Sequence, residues 1–247
     1  MSAQSKRPDA HLQWPIPPTT CNICLARDLN ICSAVDGIQA GGTQQSGHVV
    51  PSRRVIWRGH DLPDMVPFVC SGWAATVVPL SNGRRQIVSF LLPGDIVSTT
   101  LLFEWQGYGH IEAISDVRCR AFNRSDLRAL LRQKPELWAT ISKTWVDEKA
   151  RADALIADLG RRTAEERIAR MILNLVDRLA KRDMVSGEPV QIAFPLRQHH
   201  IADATGLTSV HVNKVLAVFR RGGLIATSGR ALTLLDPARL KRVAGGL

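Results

Sequence analysis

The sequence predicts an α+β chain: an all-β roll in the first half, a long helix after it, and a helix-turn-helix with a trailing β-hairpin at the C-terminal end. Three observations point there. Glycines recur at Gly47, Gly59, Gly72, Gly83 and Gly94, at intervals of 12, 13, 11 and 11 residues, with apolar strand-like pieces between them. From Pro135 to Gly160 there is no internal proline or glycine, and apolar residues switch to helical spacing. Around Thr205-Gly206-Leu207, two short helical patterns flank a tight turn.

Composition narrows the class. The chain has 247 residues, a length of one or two domains, and its 45% apolar content is enough for a core. No stretch approaches the ~20 apolar residues of a membrane helix, and Met1 to Pro18 is polar and proline-rich, with no apolar signal core. A cytoplasmic location is expected, and there five cysteines do not make a disulfide framework. The formal charge of +10 is uneven: Arg161 to Leu247 holds 15 Lys+Arg against 7 Asp+Glu, a net of +8. A basic domain joined to a nearly neutral one suggests a polyanion at one end and another task at the other; a basic face kept for solubility is the competing reading.

The expected organisation is as follows. Residues 1–40 form a flexible arm and a cysteine-bearing segment, with Pro8, Pro15, Pro17 and Pro18 ahead of Cys21. Residues 41–134 form the roll, with strands over Val49 to Trp57, Val66 to Cys70, Trp73 to Leu80, Gln86 to Leu92 and Ile111 to Phe122. Ser81-Asn82-Gly83 is the turn of a hairpin within it. Residues 135–160 form one helix, started by Pro135 and stopped by Gly160. Residues 161–247 form the basic domain. In it, Thr163-Ala-Glu-Glu166 is a capping box for a helix to about Lys181, and a polar loop runs from Arg182 to Pro189. Helices follow over Arg197 to Ala204 and Thr208 to Arg221, then a hairpin around Ser228-Gly229.

The helix of residues 135–160 carries Ile141, Trp145, Glu148, Ala152, Leu155 and Leu159 at alternating steps of 4 and 3, with Ile156 beside them. That is a heptad seam, and its length suits a partner helix from a second chain. Packing of one helix on the roll is the alternative, and Glu148 in the seam is a polar register setter or marks a face displaced by one residue.

In the helix-turn-helix, small Ala202 lets the two helices approach. Leu207, Val212, Val215, Leu216 and Phe219 form the buried side of the second helix. The other side presents Ser209, Val210, His211, Asn213 and Lys214, where a recognition helix meets base edges. Arg220, Arg221 and Arg230 are placed to reach phosphates of double-stranded DNA.

Thr163-Ala-Glu-Glu-Arg-Ile-Ala, Ile201-Ala-Asp-Ala-Thr-Gly-Leu-Thr-Ser-Val-His-Val-Asn-Lys214 and the hairpin after them resemble the winged helix-turn-helix of the CRP/FNR family of bacterial transcription regulators. Leu92-Pro-Gly-Asp-Ile-Val97 resembles the motif of that family's cyclic-nucleotide-binding-like β-roll, and the helix from Pro135 resembles its dimerisation helix. The resemblance runs from about Cys21 to Leu240 and implies a DNA-binding homodimer that contacts RNA polymerase, with the hairpin tip Ser81 to Arg85 in the polymerase-facing place. A solvated turn is the other reading of that tip.

Cys21-x2-Cys24-x7-Cys32 brings three thiolates within twelve residues, enough for part of a metal or cluster site. Cys119 and Cys70 are the candidates for a fourth. The FNR branch, which this segment resembles, implies an oxygen-labile [4Fe–4S] cluster, with Cys119 at the matching place and Cys70 a buried structural thiol. The branch's common spacing between its second and third cysteines is five residues; here it is seven. Structural zinc, a thiol redox switch and a metal-stabilised interaction protein without signalling stay open beside the cluster.

A cyclic nucleotide is not expected. Gly94 to His110 contains no arginine, and a buried phosphate needs a cation or a nest of donors. The FNR branch's base-reading glutamate, serine and arginine correspond to Val210, Asn213 and Lys214, so a different DNA sequence is expected. No catalytic constellation appears: His199 and His200 are adjacent and expected to face different ways, and nucleophile-elbow, phosphate-loop and metalloprotease motifs are missing.

Overall fold

The computed structural model describes residues 45–59, 64–97 and 109–245, with side chains from Val49 onward. The glycine-punctuated segments form two antiparallel sheets. β1 (Gln45–Val50), β3 (Met65–Ser71) and β7 (Val117–Asn123) lie in the order β1-β7-β3. β2 (Val55–Arg58), β4 (Ala74–Pro79), β5 (Arg85–Leu91) and β6 (His110–Ala113) lie in the order β2-β6-β4-β5. Both sheets contribute to one apolar core that includes Ile56, Phe68, Leu91, Ile96 and Ile111. Gly83, at φ +78°, supplies the left-handed residue of the turn between β4 and β5.

Two expected strands are each divided. Val49 to Trp57 breaks where Pro51 removes a donor and Arg53 takes φ +68°. Ile111 to Phe122 breaks at Ile114–Asp116, where the chain leaves one sheet for the other.

Asn123 caps α1 (Arg124–Gln133), its Oδ1 accepting from the Ser125 amide at 2.9 Å. α2 (Pro135–Arg161) runs 27 residues, about 40 Å at 1.5 Å per residue. Thr163 and Glu166 form the reciprocal capping box of α3 (Ala164–Ala180) at 3.3 and 2.7 Å. Ile168, Ile172, Leu175 and Leu179 are the stripe α3 buries.

The helix-turn-helix is α4 (Gln198–Thr205) and α5 (Ser209–Arg221). Its wing, β10 (Ile225–Ser228) and β11 (Ala231–Leu234), continues into β9 (Gln191–Ala193) and β8 (Val185–Ser186) in the order β10-β11-β9-β8. Part of the polar loop expected over 182–189 is therefore strand. A further helix, α6 (Pro237–Val243), starts where Asp236 Oδ1 accepts from the Arg239 amide at 2.8 Å. No helix among the described residues is long and apolar enough to cross a membrane.

The roll and the C-terminal domain are not separate bodies of apolar packing. Trp73, Ile87 and Phe90 belong to the cluster that holds α3, α4, α5 and the wing. Trp73 meets Phe194 edge-on at 6.4 Å between ring centroids. The Leu92-Pro93-Gly94-Asp95 turn adds charge: Asp95 accepts from the Leu92 amide at 2.7 Å, from Arg178 at 2.7 Å, and from Arg182. Burial alone would raise the Asp95 pKa, but the two guanidiniums outweigh it and hold the carboxyl below its ordinary range.

Candidate nucleic-acid interface

The turn that aims α5 is fixed by local chemistry. Gly206 takes φ +67°, and a Cβ there would meet Leu159 Cδ2 at 3.0 Å. The Leu207 amide donates to Ala202 O at 3.0 Å, and Thr205 Oγ1 donates to Ile201 O at 2.7 Å. Thr208 caps α5, accepting from the His211 amide at 3.2 Å. Val212, Val215, Leu216 and Phe219 are buried against the domain core. Leu207 and Ser209 are half-buried, while Val210, 67% exposed, His211, Asn213 and Lys214 face solvent. Arg220 and Arg221 are exposed in the last turn of α5, and Arg230 is exposed at the tip of the wing. One accessible side of the domain thus carries short polar groups on a helix, flanked by guanidiniums, the arrangement a major groove and its phosphates require.

Two side-chain contacts carry no signal in the sequence spacing. Gln198, at the start of α4, donates from Nε2 to Asn213 Oδ1 at 3.1 Å and so orients an amide on the exposed face of α5. It lies fifteen residues upstream. Arg85 is the second: it bonds Glu112 at 2.8 Å and Asp203 at 2.6 Å, so it is not a solvated turn arginine. Arg84 alone of that pair is exposed.

Of the two adjacent histidines, His199 is exposed and His200 is buried, and their ring centroids lie 4.0 Å apart. His200 is buried and its Nδ1 accepts from the Arg197 amide at 3.0 Å, which draws it inward beside His199. Burial, reinforced by His199 and Arg85, pushes the His200 imidazole down to about 3.

Residues 166–243 match the Crp-like helix-turn-helix domain, and residues 48–134 match the cyclic nucleotide-binding domain. The nitrogen fixation regulation protein FixK of Rhizobium meliloti is 31% identical over 195 residues, covering 77% of this chain and 83% of that protein. The chain belongs to the CRP/FNR family of transcription regulators. FixK of Bradyrhizobium diazoefficiens is 28% identical over 226 residues, covering 91% of this chain and 93% of its own. The transcriptional activator protein FnrL of Cereibacter sphaeroides is 29% identical, covering 91% and 92%. The structure of FixK2 from Bradyrhizobium japonicum superimposes with a TM-score of 0.71 at 25% identity, covering 82% of this chain and 98% of that one. These relatives are regulators and not enzymes, and this CRP/FNR chain is a DNA-binding transcription regulator.

Cys21, Cys24 and Cys32 lie outside the described residues. Cys119 lies on β7, the central strand of its sheet, and is 2% exposed. It pairs with His48 of β1 on one side and Val69 of β3 on the other, next to Cys70, which is also buried. β1, the strand paired with that of Cys119, begins at Gln45, thirteen residues after Cys32 in the sequence. Burial pushes the Cys119 thiol up to about 12. A thiolate there needs a metal cation to hold it in that form. Cys119 offers one soft donor of the kind a cluster or zinc takes; the other three candidate donors are outside the described residues. Among the described residues, no group of three or more His, Cys, Asp and Glu could hold a metal on its own.

The residues read as a seam divide along α2. Ile141 is 3% exposed and belongs to the core of the roll, because the first turns of α2 still lie over that domain. Its side chain is therefore not available to a second chain. Beyond it the helix emerges. Trp145 is 59% exposed, Ile156 is 70% exposed, Ala152 is exposed, and Glu148, Leu155 and Leu159 are half-buried.

Proposed function

We propose that this regulator is a homodimer that reads two-fold DNA sites and responds to oxygen or redox state through a [4Fe–4S] cluster held by Cys21, Cys24, Cys32 and Cys119. The observation that carries the sensing half is the three-cysteine segment leading into β1, the strand paired with that of buried Cys119. The cluster supplies the sensitivity to oxygen. The chain supplies the soft donors, and its α2 supplies an apolar face whose pairing with a second copy sets two α5 helices one DNA turn apart, roughly 34 Å. Loss of the cluster would loosen that pairing and lower DNA affinity. The exposed hairpin tip around Arg84 serves as a contact for RNA polymerase. No cyclic nucleotide takes part, since Gly94 to His110 offers no arginine.

Anaerobic purification with iron and sulfide quantitation tests the reading. A brown protein that bleaches in air is expected. Cys119→Ser loses the iron, and Cys70→Ser keeps it. Iron retained by Cys119→Ser and lost by Cys70→Ser reverses the fourth ligand. The seven-residue spacing between Cys24 and Cys32 also suits two rivals, structural zinc and a thiol switch. A colourless protein with one zinc makes the site structural, and a metal-free protein that forms disulfides in air makes it a thiol switch.

A further inference from the structure

The DNA-binding domain is held to the roll of its own chain by two main kinds of contact, beside one neutral hydrogen bond from Gln86 Nε2 to Ala204 O at 3.3 Å. The first is apolar: Trp73, Ile87 and Phe90 pack into the core of the C-terminal domain. Apolar packing is non-directional and tolerates rotation and sliding. The second is ionic and directional, and it occurs at both ends of β5. At the start of β5, Arg85 Nε meets Asp203 Oδ2 of α4 at 2.6 Å, while Arg85 Nη1 is held by Glu112 of β6 at 2.8 Å. Just past its end, Asp95 holds Arg178 of α3 at 2.7 Å and also Arg182. Arg178 donates as well to Phe90 O at 2.9 Å, on β5 itself. β5 is seven residues long, about 20 Å at 3.3 Å per residue. Two directional contacts that far apart fix an orientation that a single one leaves free to pivot.

We propose that Asp203 and Arg182 are positioning residues for DNA reading: with Arg85 and Asp95 they fix the angle of the recognition helix on its own roll, and so the spacing between the two half-sites that the dimer accepts. The proposal rests on the dimeric reading above. Neither residue lies on the reading face of α5. Asp203 stands on α4, whose Gln198 touches base-reading Asn213, so a tilt of α4 moves the reading group with it. Base preference inside a half-site is set by α5 side chains. The distance between half-sites is set by where each domain is clamped.

The test is a binding selection with the full-length protein, prepared anaerobically, on a DNA pool with randomised half-sites and randomised spacer length. Wild type should recover one spacer length. Asp203→Ala and Arg182→Ala should each recover the wild-type half-site but weaken discrimination against a spacer one base pair longer or shorter by about threefold, and by about tenfold when combined. Asp203→Glu, which keeps the carboxylate, should restore most of the spacer preference. Hydrogen exchange on the same variants should quicken at β5 and α4 and leave the roll core unchanged. Folded variants with the wild-type spacer distribution overturn the proposal. Altered half-site bases with an unaltered spacer also overturn it, since they place Asp203 in base reading. Single half-sites recovered by wild type itself overturn the dimeric reading first, and this proposal with it.

Discussion

Helices α2 and α5 are both amphipathic, and they leave opposite things uncovered. α5 buries its apolar stripe of Val212, Val215, Leu216 and Phe219 within its own domain and shows polar groups, cations and the small valines Val210 and Val218 to solvent. α2 buries only Leu137 and Ile141, both near its start, and then carries Trp145, Val146 and Ile156 into solvent. A helix whose apolar stripe is covered and whose free face is mostly polar and basic gains little from another apolar surface; phosphates and base edges are the partners that such a face suits. A helix with large exposed apolar side chains still has hydrophobic free energy to release, and a second copy offers a matching face. The two helices therefore respond to different perturbations: salt and base sequence for α5, buried charge for α2.

The largest expected effect follows from α2. In the single chain, Ile156 is exposed and Ile156→Glu disturbs little. In a paired seam it puts two unpaired carboxylates against apolar surface, at a cost of about 3–5 kcal/mol. Sedimentation should show a monomer with unchanged secondary structure, and DNA affinity should fall by more than about a hundredfold because each half-site is then bound alone. An intact dimer removes this part of α2 from the interface.

The next effect follows from α5 and is smaller. Lys214→Ala should cost about 1–3 kcal/mol if Lys214 reads a guanine, and preference should relax at one base pair only. Val210→Glu sharpens the same point, since a carboxylate can accept from a cytosine amino group and valine contacts at most a thymine methyl. Selections should shift toward cytosine at the contacted position. Identical motifs from Val210→Glu and wild type put Val210 away from the bases.

The DNA-binding end was more legible in the sequence than the sensing end, for physical reasons. Its elements are set by local rules: the Thr163 capping box, the left-handed Gly206, and the alternation of buried and exposed positions along α5. The strand rhythm also gave the roll, although Pro51 and the crossover at Ile114–Asp116 split two strands that composition alone reads as continuous. What stayed hidden is non-local. Nothing near Arg85 announces Asp203, 118 residues away, or near Asp95 announces Arg178, 83 residues away. Ile141 fits the heptad as well as Trp145 does, and only the docking of α1 and α2 on the roll separates the two. The role proposed for Cys119 rests on family likeness, not on its neighbours in the chain.

A third expectation concerns pH and the base of the helix-turn-helix. His200 is 4% exposed and its imidazole is depressed to about 3, so it is neutral in the fold, while the unfolded chain takes up a proton below about 6.5. The stability contributed by neutral His200 is complete above that value and is lost as pH falls toward about 3. His199, lowered by burial and by Arg85, acts in the same direction. Asp95, held below its ordinary value of 3.8, adds its own loss only in more acid solution. Between pH 7 and 5 the domain should lose up to about 2 kcal/mol. His200→Gln, which still offers an acceptor to the Arg197 amide, should flatten the slope. Thermal melts across this range decide it, and an equal slope in both proteins assigns the acid sensitivity elsewhere.

The smallest effect separates the flank of the DNA-binding surface from its centre. Arg220 and Arg221 are exposed at the end of α5, and Arg220 Nη1 donates to Thr227 Oγ1 on the wing at 3.4 Å, a long bond that leaves the other guanidinium donors to face phosphate. Arg221→Ala should weaken binding to every sequence alike and lower the slope of log affinity against log salt by about one, because one fewer counterion is displaced. Arg220→Ala should do the same with an added small loosening of the wing. Neither should alter the recovered motif, since a phosphate looks the same beside any base. A salt titration on a good site and on a scrambled one distinguishes the cases. A loss confined to the good site makes the arginine a base reader and carries the reading face of α5 around to its last turn. An unchanged slope on both sites removes it from the interface and leaves the recognition helix anchored by Arg230 and its own N-terminal half.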